Sequence, residues 1–261
     1  MKAHVVKQWR SPRNRYYECY QHPSRFVRWY FWKRLDIALT VSEIKKSDVV
    51  LDVGCWMGYF LPSLSVYAKE VIGLDLWQEK CTSVAWDERV TGWTGQNIAQ
   101  ELIDVELGGS SNNIKLLQAN ATKMPLEEKS VDIIFCLDTM EHLTEQMNDL
   151  LLEFRRVLKD SGTLIVSLPN ERGATLATRQ IFSKLTGITR DKYSVKELGK
   201  SLFTGKVPTE KERSHGSHKG YDYRDDVKSI SEYFKIQKIK YAPILFLRGL
   251  NPTVILKAAK E

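Results

Sequence analysis

The sequence predicts an α/β protein with a doubly wound, Rossmann-like and mostly parallel sheet and a C-terminal antiparallel hairpin. Three observations predict it. From residue 48 onward, short runs rich in Val, Ile and Leu alternate with longer stretches of helical character. Those runs lack the apolar–polar alternation of a half-exposed strand, as happens when helices cover both faces of a parallel sheet. Near the C-terminus, Ile236 to Tyr241 and Thr253 to Leu256 are joined by the short link 243–252 with no helical stretch between them, so these two runs should pair as a hairpin.

The elements follow in order. Residues 24–39 can form a helix, because at about 100° per residue Val27, Phe31, Leu35 and Ala38 share one face, which should turn to the core. Trp29 falls on the other side among Arg25, Lys33 and Asp36. Asp48 to Val53 reads as a buried strand ending at Gly54, Val71 to Asp75 as a second, Ile114 to Ala119 as a third and Val131 to Leu137 as a fourth. Leu164 to Leu168 is a fifth, stopped by Pro169. A helix from Thr144 to Lys159, with Leu150, Leu151, Phe154, Val157 and Leu158 as its buried stripe, precedes the turn Asp160-Ser161-Gly162. Asp75 and Ile114 stand 39 positions apart, more than one crossover needs, so an additional helix is expected within Trp86 to Gly109, with Ile98, Leu102 and Val105 facing inward.

The chain divides into a basic, aromatic helical arm (1–46) and a catalytic-type domain (47–261). Residues 171–220, rich in Lys, Arg, Gly, Ser and Thr, form a lid-like insertion in that domain at the carboxyl end of the fifth strand. With 261 residues, 43% of them hydrophobic, the chain can bury a core without metals or disulfides. Its cysteines (Cys19, Cys55, Cys81, Cys136) include no Cys-x-x-Cys pair, which suits a reducing compartment. No run of roughly eighteen apolar residues occurs, and the opening residues do not read as a signal peptide. The expected location is cytoplasmic, with peripheral contact at a membrane through residues 9–34. Of the formal charge of +7, residues 1–34 supply +8 and the rest −1. A body that neutral disfavours a nucleic-acid-coated surface and leaves only the arm to meet something anionic.

In open α/β sheets the ligand crevice lies beyond the carboxyl ends of the strands at the switch point. Here that is Leu51-Asp52-Val53-Gly54-Cys55-Trp56-Met57-Gly58. Gly54 permits a sharp turn and Gly58 a close approach of backbone to ligand. Asp75, ending the second strand about twenty residues on, is placed to accept both hydroxyl hydrogens of a ribose. The ligand is then a nucleoside derivative: NAD, ATP or S-adenosylmethionine. No Gly-x-x-x-x-Gly-Lys-Ser/Thr run exists for ATP, and Trp56 would crowd the diphosphate of NAD.

Together these residues resemble the class I S-adenosylmethionine-dependent methyltransferases, in particular the small-molecule branch typified by ubiquinone and menaquinone methyltransferases. The resemblance spans residues 45–170 and five motifs in order. They are Leu51 to Gly58, Val71 to Asp75, Gln118 to Leu126, Val131 to Leu143 with its Glu141-His142, and Arg155 to Leu164. Trp56 stands where the family has its middle glycine, Asn120 where it usually has Asp, and Asp160-Ser161 where it has Pro-Gly. The resemblance implies S-adenosylmethionine as cofactor, with Gly54, Cys55 and Gly58 along its methionine and ribose part and Asp75 on the ribose hydroxyls. It places Leu76 on adenine, Asn120 and Ala121 at the adenine edge, and Cys136, Leu137 and Asp138 past the sulfonium and amino acid. Asp52 would orient the loop.

Methyl transfer is an in-line displacement that needs chiefly alignment, with a base where the nucleophile must lose a proton. His142 is the first candidate because an imidazole titrates near neutrality, and Asp138 is its rival. His215-Gly216-Ser217-His218 reads as a polar lid segment, and no metal is expected. After the fourth strand the chain reads Leu137-Asp138-Thr139-Met140, without the Pro-Pro-aromatic of enzymes that methylate amino groups on DNA. The expected reaction is methyl transfer to a small-molecule, lipid or glycan acceptor at oxygen. An RNA methyltransferase that uses the basic arm, and a non-catalytic adenosyl-cofactor binder, are the alternatives.

Overall fold

The computed structural model describes residues 1–12, 19–80, 90–109, 113–186, 193–207, 219–244 and 250–260. Among them, strands β1 (Val49–Val53), β2 (Glu70–Asp75), β3 (Ile114–Gln118), β4 (Val131–Leu137), β5 (Leu158–Pro169), β6 (Phe234–Ala242) and β7 (Thr253–Lys260) form one sheet. Its order is β3-β2-β1-β4-β5-β7-β6. The first five strands run parallel, and β7 pairs antiparallel with both β5 and β6. Both the parallel sheet and the terminal hairpin match expectation. The winding reverses between β1 and β4, so their carboxyl ends diverge and open a crevice there.

Side-chain alternation sorts the strands between two cores. Val50, Ile133, Phe135, Ile165 and Ile255 face one side, and Leu51, Val53, Ile134, Cys136, Leu164 and Val166 face the other. The first side is covered by helices α1 (Arg25–Ser42), α2 (Leu61–Tyr67) and α3 (Gly95–Leu107), the second by α4 (Met147–Val157) and α7 (Tyr223–Tyr233). Fully buried Phe135 and Phe154 contribute about 2 kcal/mol each by leaving water. In α1, Val27, Phe31, Leu35 and Ala38 are buried as expected and Trp29 is exposed.

Four boundaries differ from expectation. The helix before β5 runs from Met147 to Val157, and Leu158 already begins the strand. Asp160-Ser161-Gly162 therefore lies inside a twelve-residue β5 whose register with β4 shifts between Val131 and Ile133. Pro169 ends that strand from within, paired with Thr253. In α3, Ile98 and Leu102 are buried but Val105 is exposed. The buried stripe there is rotated toward Ala99, Ile103 and Glu106, the side on which residues 1–12 lie. Trp86 is outside the described residues. Finally, the insertion after β5 holds two helices, α5 (Gly173–Thr186) and α6 (Val195–Thr204), where the sequence shows little periodicity.

The arm is built into the domain. Glu106 accepts hydrogen bonds from the backbone N–H of Lys7 (2.9 Å), Gln8 (2.5 Å) and Trp9 (2.6 Å) and lies 3.1 Å from His4 Nε2. Trp9, buried, donates from its indole to Glu101 at 2.7 Å, and Asp36 of α1 accepts from Ala3 N at 2.7 Å. Although burial opposes its charge, these donors hold the Glu106 carboxyl below its ordinary range. Its contribution is therefore present above the unfolded-state value and is lost as pH falls through the lowered one. Glu106→Gln should cost about 3 kcal/mol, since it weakens a carboxylate with four donors. It should also speed tryptic cleavage after Lys7 and Arg10. Urea titration and timed digestion read both effects, and unchanged cleavage would show that another contact holds the arm.

Candidate active site

The carboxyl ends of β1, β2 and β4 carry three of the five non-glycine residues with left-handed backbone among the described residues: Trp56 (φ 45°), Trp77 (φ 40°) and Asp138 (φ 51°). Such residues cost about 1–3 kcal/mol each and cluster where function over-determines the chain. The loop after β1 is tied to β2 twice. Gly54 N and Cys55 N both donate to Leu74 O, at 2.8 and 3.2 Å. Asp75 Oδ2 accepts from Trp56 N at 2.9 Å, while Oδ1 accepts from Leu76 N at 2.7 Å and Trp77 N at 3.3 Å. Trp77 then donates its indole N–H to Trp56 O at 2.8 Å. Asp75 thus ties the loop to β2, and among the described residues no hydrogen bond joins Asp52, expected to orient the loop, to it.

Glycine is required at 54. Its φ is 75°, and a Cβ there would sit 2.2 Å from Thr139 Oγ1. Gly58 has φ 77°, and a Cβ there would come within 3.3 Å of Ala99 Cβ in α3, closer than ordinary contact. The Trp56 ring leans against Gly95 at the start of α3 beside Trp77 and stays partly exposed. On β3's side, Gln118 Nε2 donates to Leu76 O at 2.8 Å. Asn120 Oδ1 accepts from Thr122 N at 2.9 Å and Thr122 Oγ1 at 3.0 Å, so the Asn folds back on its own turn and is exposed. Leu76 is exposed beside Asp75, and Ala121 is buried.

Asp52 lies in β1 between Gly73 of β2 and Phe135 of β4. It is buried, and no hydrogen bond reaches its carboxyl from the described residues. Burial, with the neighbouring Asp75 charge second, pushes its pKa up to about 8. Cys55 and Cys136 are also buried, Cys55 against Gly73 and Cys136 in the α4 core, and burial raises both thiols. Their side chains therefore do not line an open crevice. Where they border it, they do so through backbone.

Beyond β4, Asp138 is held from two directions. Arg34 of α1 pairs with its Oδ2, and Ser167 of β5 donates to its Oδ1 at 2.6 Å. Arg34 also contacts Tyr20 Oη at 3.4 Å and lies over the Phe31 ring at 4.8 Å. Tyr20 stacks on Tyr59 of the loop after β1, with ring centres 4.7 Å apart. Burial pushes the Tyr20 phenol up to about 12, opposed by Arg34. Burial alone would lower Arg34, but Asp138 and the tyrosines outweigh it and fix its positive charge. His142 is exposed on a 3-10 turn (Met140–His142), while its neighbour Glu141 is buried, with neither carboxyl oxygen hydrogen-bonded among the described residues. Burial, then the Asp138 charge, raises Glu141 well above its ordinary value.

The structure therefore brings Asp52, Gly54, Gly58, Asp75, Leu76, Asn120, Leu137 and Asp138 to one edge of the sheet. Tyr20, Arg34, Trp77, Glu141 and Ser167 join them, and the sequence reading had assigned none of these a role. Arg34 carried a usable signal: it falls within the apolar face of α1, between Phe31 and Ala38, where a cation must find a carboxylate. His215 and His218 lie outside the described residues.

Residues 51–166 match the family model of a methyltransferase domain. That span, less than half of the chain, runs from within β1 to within β5 and includes the loop and Asp75. A probable S-adenosylmethionine-dependent methyltransferase of Mycobacterium tuberculosis is 29% identical over 121 residues, which are 46% of this chain and 35% of the relative. An uncharacterized methyltransferase of Bacillus subtilis is 25% identical over 51% of this chain and 45% of its own length. The chain thus spans less than half of either relative. Among solved structures, a Pyrococcus horikoshii protein superposes with TM-score 0.59 at 19% identity, covering 92% of this chain and 93% of that one. The magnesium protoporphyrin IX methyltransferase of Synechocystis, solved with bound SAH, does so with TM-score 0.54 at 17% identity over 95% of this chain and 93% of its own. These superpositions define the fold.

Because folding buries the protonated Asp52, the folded chain keeps a proton that the unfolded chain releases above the ordinary carboxyl value of 3.8. The sign follows: stability falls as pH rises from there toward about 8. Asp52→Asn should remove that slope, so its melting temperature relative to the parent rises steadily across this range. A constant difference would mean that Asp52 is ionised in the folded protein.

Proposed function

We propose that the protein is an S-adenosylmethionine-dependent methyltransferase of the small-molecule and lipid branch, acting at an oxygen of a small-molecule, lipid or glycan acceptor. The observation that carries the reading is the Asp75 carboxylate at the end of β2. It accepts from Trp56 N on Oδ2 and from Leu76 N and, at a long 3.3 Å, Trp77 N on Oδ1. Of its roughly four lone pairs, one on Oδ2 is thus left for a ribose hydroxyl, and a second hydroxyl would replace the long Trp77 contact. The residues fit the cofactor in two further respects. The Trp56 ring is propped on Gly95, and the Asp52 carboxyl, without an internal hydrogen bond, suits a cationic neighbour such as the ammonium or sulfonium of the donor. When bound, the donor supplies an activated methyl group.

The chain's own residues supply alignment. Gly54 and Gly58 let the backbone approach the ligand, Leu76 offers an apolar face for adenine, and the turn at Asn120-Ala121 borders the adenine edge. Asp138, fixed by Arg34 and Ser167, is occupied as an anchor, so the base role passes to His142. Its exposed imidazole would take the acceptor proton as the methyl carbon bonds to oxygen and the thioether leaves. The nearly neutral body and the residues after β4 support a small acceptor over a nucleic acid. Of the arm's described aromatics, Trp9, Phe31 and Trp32 are buried, while Phe26 and Trp29 are exposed and stacked with ring centres 5.6 Å apart.

Asp75→Ala should weaken adenosylhomocysteine binding about ten- to a hundred-fold, the cost of losing charged hydrogen bonds, as read by calorimetry. Equal affinity in the variant and the parent would remove the site assignment. With labelled methyl donor and lipid or metabolite extracts, His142→Ala should abolish the acid limb of the pH–rate profile while leaving donor affinity unchanged. Full activity at every pH would end its role as base.

A further inference from the structure

The insertion after β5 presents a surface that the methyl-transfer reading does not use. In α6, Val195, Gly199, Leu202 and Phe203 share one face at about 100° per residue. That face points to solvent: Val195 is 87%, Leu202 52% and Phe203 90% exposed. The opposite side carries Ser201, buried, whose Oγ accepts from Gly173 N of α5 at 3.0 Å and so fixes which face looks outward. The helix is well formed, with a capping box between Ser194 and Glu197 at its start and left-handed Gly205 at its end. Its apolar face is thus displayed by a stable element.

Among the described residues, the charges flanking the face on α6 and just after it are lysines: Lys196, Lys200 and Lys206 are exposed. The one acid of α6, Glu197, is half-buried and held by Ser194 and by Lys219 at 3.0 Å. Apolar side chains flanked by lysines on a short helix are the composition of an interfacial membrane anchor. A second copy of the chain would set lysines against lysines across a symmetric contact. A nucleic acid would find phosphate partners but nothing for Phe203 and Val195.

We propose that the outward face of α6 docks on an anionic lipid bilayer, with Phe203, Leu202 and Val195 entering the interface and Lys196, Lys200 and Lys206 meeting the headgroups. The inference stands apart from the proposed chemistry, because docking is read without any acceptor.

The test is co-sedimentation of the full chain with vesicles of pure phosphatidylcholine and with vesicles of equal parts phosphatidylcholine and phosphatidylglycerol. The parent should bind the anionic vesicles, and less so as salt rises. Phe203→Ser should weaken binding about ten-fold or more, and each of Lys196→Gln and Lys200→Gln roughly five-fold. Leu152→Ser, which removes an exposed leucine from α4 on another surface (54% exposed), should change nothing. All variants should keep the parent's melting temperature and adenosylhomocysteine affinity, so that failure of docking and failure of the cofactor reading are separable. Absence of vesicle binding, equal binding by Phe203→Ser, or an equal loss with Leu152→Ser overturns the proposal. So does concentration-dependent dimerisation abolished by Phe203→Ser, which would make the face a contact between copies. Binding to homopolymeric RNA that depends on the lysines but not on Phe203 overturns it as well.

Discussion

One carboxylate organises the carboxyl edge of this sheet. Asp75 ends β2 and reaches across to the first turn after β1, where its oxygen accepts the Trp56 N–H. Trp56 is in left-handed backbone, a conformation a tryptophan adopts only when its surroundings insist. The insistence comes from Asp75 on its N–H and from the Trp77 indole on its carbonyl. Remove that carboxylate and the turn has no reason to keep a strained shape. The group proposed to grip a ribose is thus the group that shapes the loop the ribose would lie against. Three backbone N–H groups occupy most of its roughly four lone pairs, and the free one on Oδ2 is left for the ribose.

The edge beyond β4 follows the same logic with the signs paired. Asp138 is strained, its carboxylate is divided between Arg34 and Ser167, and Arg34 comes from α1. A buried guanidinium adds little stability on average, but it fixes where α1 crosses the crevice. Tyr20 and Tyr59 stack beside it, and Trp9 packs edge-on against Tyr59 at 5.6 Å. The arm is therefore a wall of the crevice. Its basic character is spent partly inward on Asp138 and partly outward on solvent.

Much of this was legible beforehand, for identifiable reasons. Strands buried on both faces leave unbroken apolar runs, so β1, β2 and β4 could be read to within a residue or so. Asp75 could be placed because its spacing from Gly54 reflects one helix and one strand. The β5 start was misread because Asp160-Ser161-Gly162 is turn chemistry that the chain accommodates in a strand with shifted register. Val105 was misplaced because the inward side of α3 is set by residues 1–12, whose docking on Glu106 no local pattern announces. Arg34 and Glu141 passed unnoticed for a related reason: a charge is counted as solvated until the fold shows it buried. The insertion looked irregular because its Lys, Arg, Gly, Ser and Thr dilute the two helical stretches α5 and α6 among loop residues.

The measurement that reaches the centre of this account is a crystal structure with adenosylhomocysteine bound. The account predicts both ribose hydroxyls within hydrogen-bond distance of the Asp75 carboxylate, adenine against Leu76, and the Trp56 ring still resting on Gly95. A map in which the indole of Trp56 occupies the ribose position, or in which the ligand lies away from Asp75, would contradict it.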